Sequence, residues 1–192
     1  MITRNTPMAG GVFQRHLDRA GTPADGAAPI TRRLRRMRAH VAVVGGGSAS
    51  AEEERAAEDV GRGLAEAGAI VVCGGLGGVM EAACRGAKAG GGTTVGILPG
   101  ASRQEANPYV DVAIPTGLGE LRNGLVVRAA DALVAVGGEF GTLSEIALAL
   151  KARKPVVALG GWELAREGRP VDALVRATSA EDAVRKVLAA LP

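Results

Sequence analysis

From His40 onward, short unbroken apolar runs alternate with stretches in which apolar residues recur every three or four positions. The runs Val41–Val44, Ala69–Cys73, Thr93–Leu98, Val110–Ile114, Ala132–Val136, Pro155–Leu159 and Leu174–Thr178 predict seven strands. The periodic stretches predict helices over Ala51–Ala67, with Ala56, Val60 and Leu64 on one face and Gly68 as its stop, and over Val79–Ala89. Further helices are predicted over Leu118–Ala130, turning Leu121, Leu125 and Ala129 inward, from Thr142 through Leu150, and over Ala180–Leu191. Strands that are apolar throughout are buried on both faces, and crossover-length helices between them favour parallel pairing.

The expected fold is therefore α/β and Rossmann-like: a doubly wound, mostly parallel sheet of six to seven strands with helices on both faces. In such a sheet ligands bind beyond the carboxyl ends of the strands. Three glycine-rich turns fall there, Gly45–Gly47, Gly74–Gly78 and Gly137–Gly141. Glycine lets backbone approach a ligand, and a helix N-terminus favours an anion. Gly45, Gly46, Gly74, Gly75, Gly77, Gly138, Gly141 and Thr142 are thus candidate phosphate contacts, against the plainer reading that the glycines only permit tight turns. The first corner fails the dinucleotide fingerprint, because Ser50 occupies its last glycine position and Cys73-Gly74-Gly75 stands where an acidic ribose ligand belongs. No Lys-Ser/Thr pair follows Gly141, so the last is not a P-loop.

Thr142-Leu143-Ser144-Glu145 reads as a capping box with Thr142 at the N-cap, a structural role that competes with a catalytic one for Glu145. Arg122 likewise reads either as a helix-start arginine or as a ligand contact. Tyr109, Phe140 and Trp162 are placed in loops beside strand ends, where they either stack on a ligand or seal the fold.

Charge is unevenly spread. Residues 1–40 hold eight arginines against Asp18 and Asp25, so a net charge of +3 becomes +6 there and −3 over the rest. Residues 1–38 lack sustained periodicity and are expected to be a disordered or loosely attached Arg-rich extension, with a short helix over Val12–Ala20 as an option. Residues 39–192 are expected to form one domain. The run Arg32 to Arg38 has no aromatic platform beside it, so nucleic acid is not the expected partner. No apolar run reaches the roughly 20 residues of a membrane helix, and no signal-peptide core opens the chain. Two cysteines make neither a disulfide framework nor a zinc site, and two histidines, His16 and His40, make a triad or metal site unexpected. A cytoplasmic protein without metal or cofactor is the reading.

Gly74-Gly75-Leu76-Gly77-Gly78-Val79-Met80-Glu81, Pro115-Thr116-Gly117, Arg122-Asn123 and Gly137–Glu145 together resemble the LOG (LONELY GUY) family, once labelled "possible lysine decarboxylase". The similarity covers about residues 40–160 and looks closest to the bacterial subgroup that includes the molybdenum cofactor carrier protein. Well-studied LOG proteins release a free base and ribose 5-phosphate from a nucleoside 5′-monophosphate and are usually homodimers. The resemblance implies catalytic roles for Arg122 and Glu145, phosphate contacts from Gly138, Gly141 and Thr142, and a ligand contact from Asn123 beside Arg122. This chain departs from the signature P-G-G-x-G-T-x-x-E at Gly137 and Glu139, and from its Arg-Lys pair at Asn123. It implies either a purine nucleoside monophosphate phosphoribohydrolase or, as the departures favour, a non-catalytic binder of a nucleotide or molybdopterin-type ligand. A lysine decarboxylase is not implied, because nothing marks any lysine as a Schiff-base residue.

Overall fold

Val41, Ala42, Val43 and Val44 are all buried, and the strand that carries them, β1 (His40–Gly45), runs through the middle of the sheet. The computed structural model describes residues 38–191, so the readings made for residues 1–37 lie outside it. Arg38, assigned by the sequence to the extension, donates to the carbonyls of Gly68 and Ala69 and to the Thr93 hydroxyl.

Seven parallel strands follow the order β4-β3-β2-β1-β5-β6-β9, with β2 at Ile70–Cys73, β3 at Thr93–Leu98, β4 at Val112–Pro115, β5 at Ala132–Val136, β6 at Val156–Leu159 and β9 at Leu174–Ala177. The expected doubly wound α/β sheet is what the chain forms. Between β6 and β9 lies a hairpin that the pattern does not reveal, β7 (Ala165–Arg166) with β8 (Arg169–Pro170). Its two-residue turn, Glu167-Gly168, takes positive φ at both positions, the geometry that matches strand twist.

Helices cover both faces. Val41 and Val43 point to one, where α1 (Ala51–Glu66), α2 (Val79–Ala89) and the final helix α5 (Ala180–Ala189) pack. Ala42 and Val44 point to the other, against α3 (Asn123–Ala129) and α4 (Phe140–Lys151). Helix α1 buries Ala57, Val60, Gly61 and Leu64, with Ala56 at the margin, and ends before Gly68 as expected. Ser50 caps it in a full capping box with Glu53, which explains why a serine sits where a dinucleotide fold has glycine. Helices α1 and α2 meet backbone to backbone. A Cβ on Gly61 would lie 2.0 Å from the Ala83 carbonyl oxygen, and one on Gly86 would lie 1.9 Å from that of Glu58.

Two expectations fail. Leu121, Leu125 and Ala129 do not face inward; Leu121 is 80% exposed, and Val126 and Val127 are buried instead. The segment opens as a 3₁₀ turn, Gly119–Arg122, whose tighter pitch changes the phase assumed for a continuous α-helix. Thr142 is not an N-cap. Helix α4 starts two residues earlier, its N-cap is Glu139, and no side chain caps it.

Candidate functional site

The carboxyl ends of β1, β2 and β5 open into a cavity of about 310 Å³. Three kinds of group face it: glycine backbone from Gly45–Gly47 and Gly74, the first turn of α4 through Gly141 and Thr142, and the side chains of Arg122, Asn123 and Glu145. The sequence-predicted residues Gly45, Gly46, Gly74, Arg122, Asn123, Gly141, Thr142 and Glu145 are therefore brought together. Gly75, Gly77 and Gly138 are not in the lining. Gly75 and Gly138 shape the corners instead. A Cβ on Gly75 would strike Leu98 at 2.5 Å, and one on Gly138, whose φ is +104°, would meet Thr142 at the same distance. Around Gly77 the nearest atoms to such a Cβ are the Gly47 carbonyl oxygen at 3.5 Å and the Glu81 carboxylate at 4.0 Å.

Gly74 has no room for a side chain because the Arg122 guanidinium fills that space, with Nη2 2.3 Å from where a Cβ would stand. Arg122 closes the 3₁₀ turn and is only 7% exposed, contrary to the reading of a solvated helix-start arginine. Its Nη1 donates to Asn123 Oδ1 at 2.6 Å and lies 3.7 Å from Glu145 Oε1; its Nη2 donates to the Gly74 carbonyl at 3.4 Å. Its buried Nε has no hydrogen-bond partner among the described residues. Asn123 Nδ2 donates to Ser144 Oγ at 3.2 Å, and Ser144 Oγ donates to the Gly141 carbonyl at 2.6 Å. A chain of contacts thus ties the arginine to the first turn of α4.

Glu145 is 5% exposed. Burial raises its carboxyl from the ordinary 4.5 to about 7, and the Arg122 charge opposes that rise without cancelling it. Burial also lowers Arg122 from its ordinary value, against the pull of Glu145. The two directions agree that the pair is under-compensated: desolvation outweighs attraction across 3.7 Å, leaving capacity for a further partner.

The sequence reading missed Glu120 and Pro99 in the lining and Ser144 behind it. Glu139 also lines the cavity, which with Glu120 and Glu145 holds three carboxylates and one guanidinium. Of the aromatics, Phe140 and Trp162 lie against each other with ring centroids 5.5 Å apart outside the lining, while Tyr109 packs beside Cys73 and Cys84. Among the described residues no three His, Cys, Asp or Glu side chains group as a metal site, and no helix is long and apolar enough to cross a membrane.

Solved structures share this arrangement of sheet and helices. The chain is 35% identical to the molybdenum cofactor binding protein of the phototrophic bacterium Rippkaea orientalis, with a TM-score of 0.74 over 80% of this chain and 98% of that one. It is 33% identical to the molybdenum cofactor carrier protein of Chlamydomonas reinhardtii, with a TM-score of 0.67 over 80% of this chain and 98% of the other. An uncharacterized protein of Archaeoglobus fulgidus is 46% identical over 119 residues, which is 62% of this chain and 78% of that protein. The resemblance to LOG proteins is thereby placed at the level of the wider SLOG grouping, with carrier-protein structures as neighbours. A family model described as the SLOG cluster4 family matches residues 38–187, and the chain belongs to that family.

Proposed function

We propose that this protein binds and carries a phosphorylated heterocyclic ligand, a nucleotide or a molybdopterin-type compound, in the cavity at β1, β2 and β5. The observation that carries this reading is the uncapped first turn of α4, which faces the same cavity as the buried, under-compensated Arg122–Glu145 pair. Free N–H groups with the helix dipole suit one phosphate. The carboxylates of Glu120 and Glu139 accept hydrogen bonds only, which suits the amino and ring N–H donors of a purine or pterin. Similarity to molybdenum cofactor binding and carrier proteins supports the same assignment. The test is a thermal-shift and calorimetric comparison of nucleoside monophosphates and a phosphorylated pterin. Binding of at least one, with no free base released, is expected; no binding of either class overturns the reading.

A second reading rests on Glu145. A carboxyl that titrates near 7 beside a buried arginine is able to stabilise an oxocarbenium-like centre and to orient water, as glycosidase carboxylates do. In this reading a purine nucleoside 5′-monophosphate is hydrolysed to base and ribose 5-phosphate. Chromatography of AMP incubations would reveal adenine, and Glu145→Gln would abolish its release.

A further inference from the structure

Beneath the cavity floor lies a cluster rich in sulfur. Cys73 ends β2, Cys84 sits in α2, and both are fully buried, with Met80 packed between them and the cavity it lines. The two thiol sulfurs are 3.4 Å apart, and Cys73 Sγ also accepts from the Gly75 N–H at 3.3 Å. We infer that Cys73 and Cys84 form a redox latch: a hydroperoxide oxidises this dithiol to a disulfide, and the bond displaces the Gly74–Gly75 corner on which Arg122 rests.

The sulfurs must close from 3.4 Å to about 2.05 Å, a change shared between rotation of the two side chains and the backbone that carries them. Helix α2 is anchored, because Gly61 and Gly86 seat it directly on the backbone of α1. The corner is not. Cys73 is followed directly by Gly74 and by Gly75 at φ +76°, and Gly74 is in contact with the Arg122 guanidinium. Contraction at the sulfurs is therefore passed to the arginine.

The chemistry balances with one peroxide. Cys73 attacks as thiolate; its S–O bond forms as the O–O bond breaks, and the leaving hydroxide takes the thiol proton to become water. Cys84 sulfur then attacks the sulfenic sulfur, so that S–S forms, S–O breaks, and a second water leaves with the Cys84 proton. Two electrons pass from the sulfurs to the peroxide. The roles follow the environment: a hydrogen bond from Cys84, then the Gly75 N–H and the Arg122 charge, hold the Cys73 thiol below its ordinary value against the effect of burial. Cys84 is pushed up by the same hydrogen bond and by burial. Met80 and Gly74 line the cavity beside the pair, so a bound ligand obstructs an oxidant that enters from that side.

The experiment treats the full chain with hydrogen peroxide and follows intact mass, deuterium exchange and AMP affinity. The chain has only two cysteines, which makes the product unambiguous. Expected are the loss of two hydrogens, reversed by a thiol reductant and absent in Cys73→Ser and Cys84→Ser, and altered exchange across residues 74–78. A fall in AMP affinity of roughly tenfold accompanies the bond, and saturating AMP slows its formation. Gain of oxygen without the bond overturns the latch, as does a bond that leaves exchange at residues 74–78 unchanged or AMP affinity unaltered. If AMP binds neither form, the ligand reading is what fails, and the mass and exchange results still decide the latch.

Discussion

At the residue scale the site turns on one buried pair. Because Glu145 titrates near 7 when folded and near 4.5 when not, its carboxylate costs stability as pH rises through that window; protonated below it, the residue costs nothing of this kind. The same sign governs ligands. An anion in the cavity binds best to neutral Glu145, so between pH 6.5 and 8.5 affinity for AMP falls as pH rises. Glu145→Gln flattens that slope, and calorimetry across the range measures it. Arg122→Ala leaves the helix dipole as the main anion contact and is expected to weaken AMP binding by roughly ten- to a hundredfold, the loss of a hydrogen bond to a charged group. Ser144→Ala frees the Asn123 amide and is expected to weaken binding only a few-fold, about 1 kcal/mol.

At the scale of elements, glycines separate into those that hold backbone apart from nothing and those that are in contact. Gly86→Ala drives a methyl into the Glu58 carbonyl, and Gly138→Ala meets both Thr142 and a forbidden φ. Each is expected to lower stability by about 1–3 kcal/mol. Gly124 in α3 has nothing within 4 Å of a Cβ, and Gly124→Ala is expected to raise stability by about 0.5–1 kcal/mol. Thermal melting of the three variants separates these outcomes. The same elements show what a sequence can reveal. Strands β1, β2, β3, β5 and β6 were legible because runs such as Ala132–Val136 are apolar on both faces. The inward face of α3 was not, because a 3₁₀ turn precedes it, and period alone cannot distinguish three residues per turn from 3.6. The start of α4 was misread because Gly137 and Gly138, both at positive φ, turn the chain early enough for Phe140 to open the helix. That geometry also accounts for the departure from the proline of the LOG signature: a proline cannot take φ +53°, and the Glu53 carboxylate fills the space beside Gly137. The sequence leaves Arg122 and Glu145 each with a structural and a functional reading, and the resemblance favours the functional one. Their contact, the partnerless Nε and the part played by Ser144 depend on distances between segments far apart in the chain.

For the molecule as a whole, five of the eight large apolar side chains exposed among the described residues lie between Val112 and Leu125. We propose that this segment meets a second copy of the chain, in line with the homodimer that the LOG resemblance implies. Sedimentation equilibrium is expected to give a dimer, and Leu121→Glu a monomer with the same melting profile at low concentration. A monomer in the unaltered protein would remove the proposal.

The strand order has a consequence for synthesis on the ribosome. Among the described residues β1 is the first strand in the chain, yet one of its two neighbours is β5, made only after β2, β3 and β4, which lie on its other side. A nascent chain that has not yet exposed residues 132–136 therefore presents β1 as an open edge, apolar on both faces, at the place where the cavity will form. The binding site and protection from aggregation arrive together, with the same five residues. Chains arrested just before Ala132 are expected to stay protease-sensitive and to recruit chaperones, whereas chains arrested after α4 has emerged are expected to be resistant.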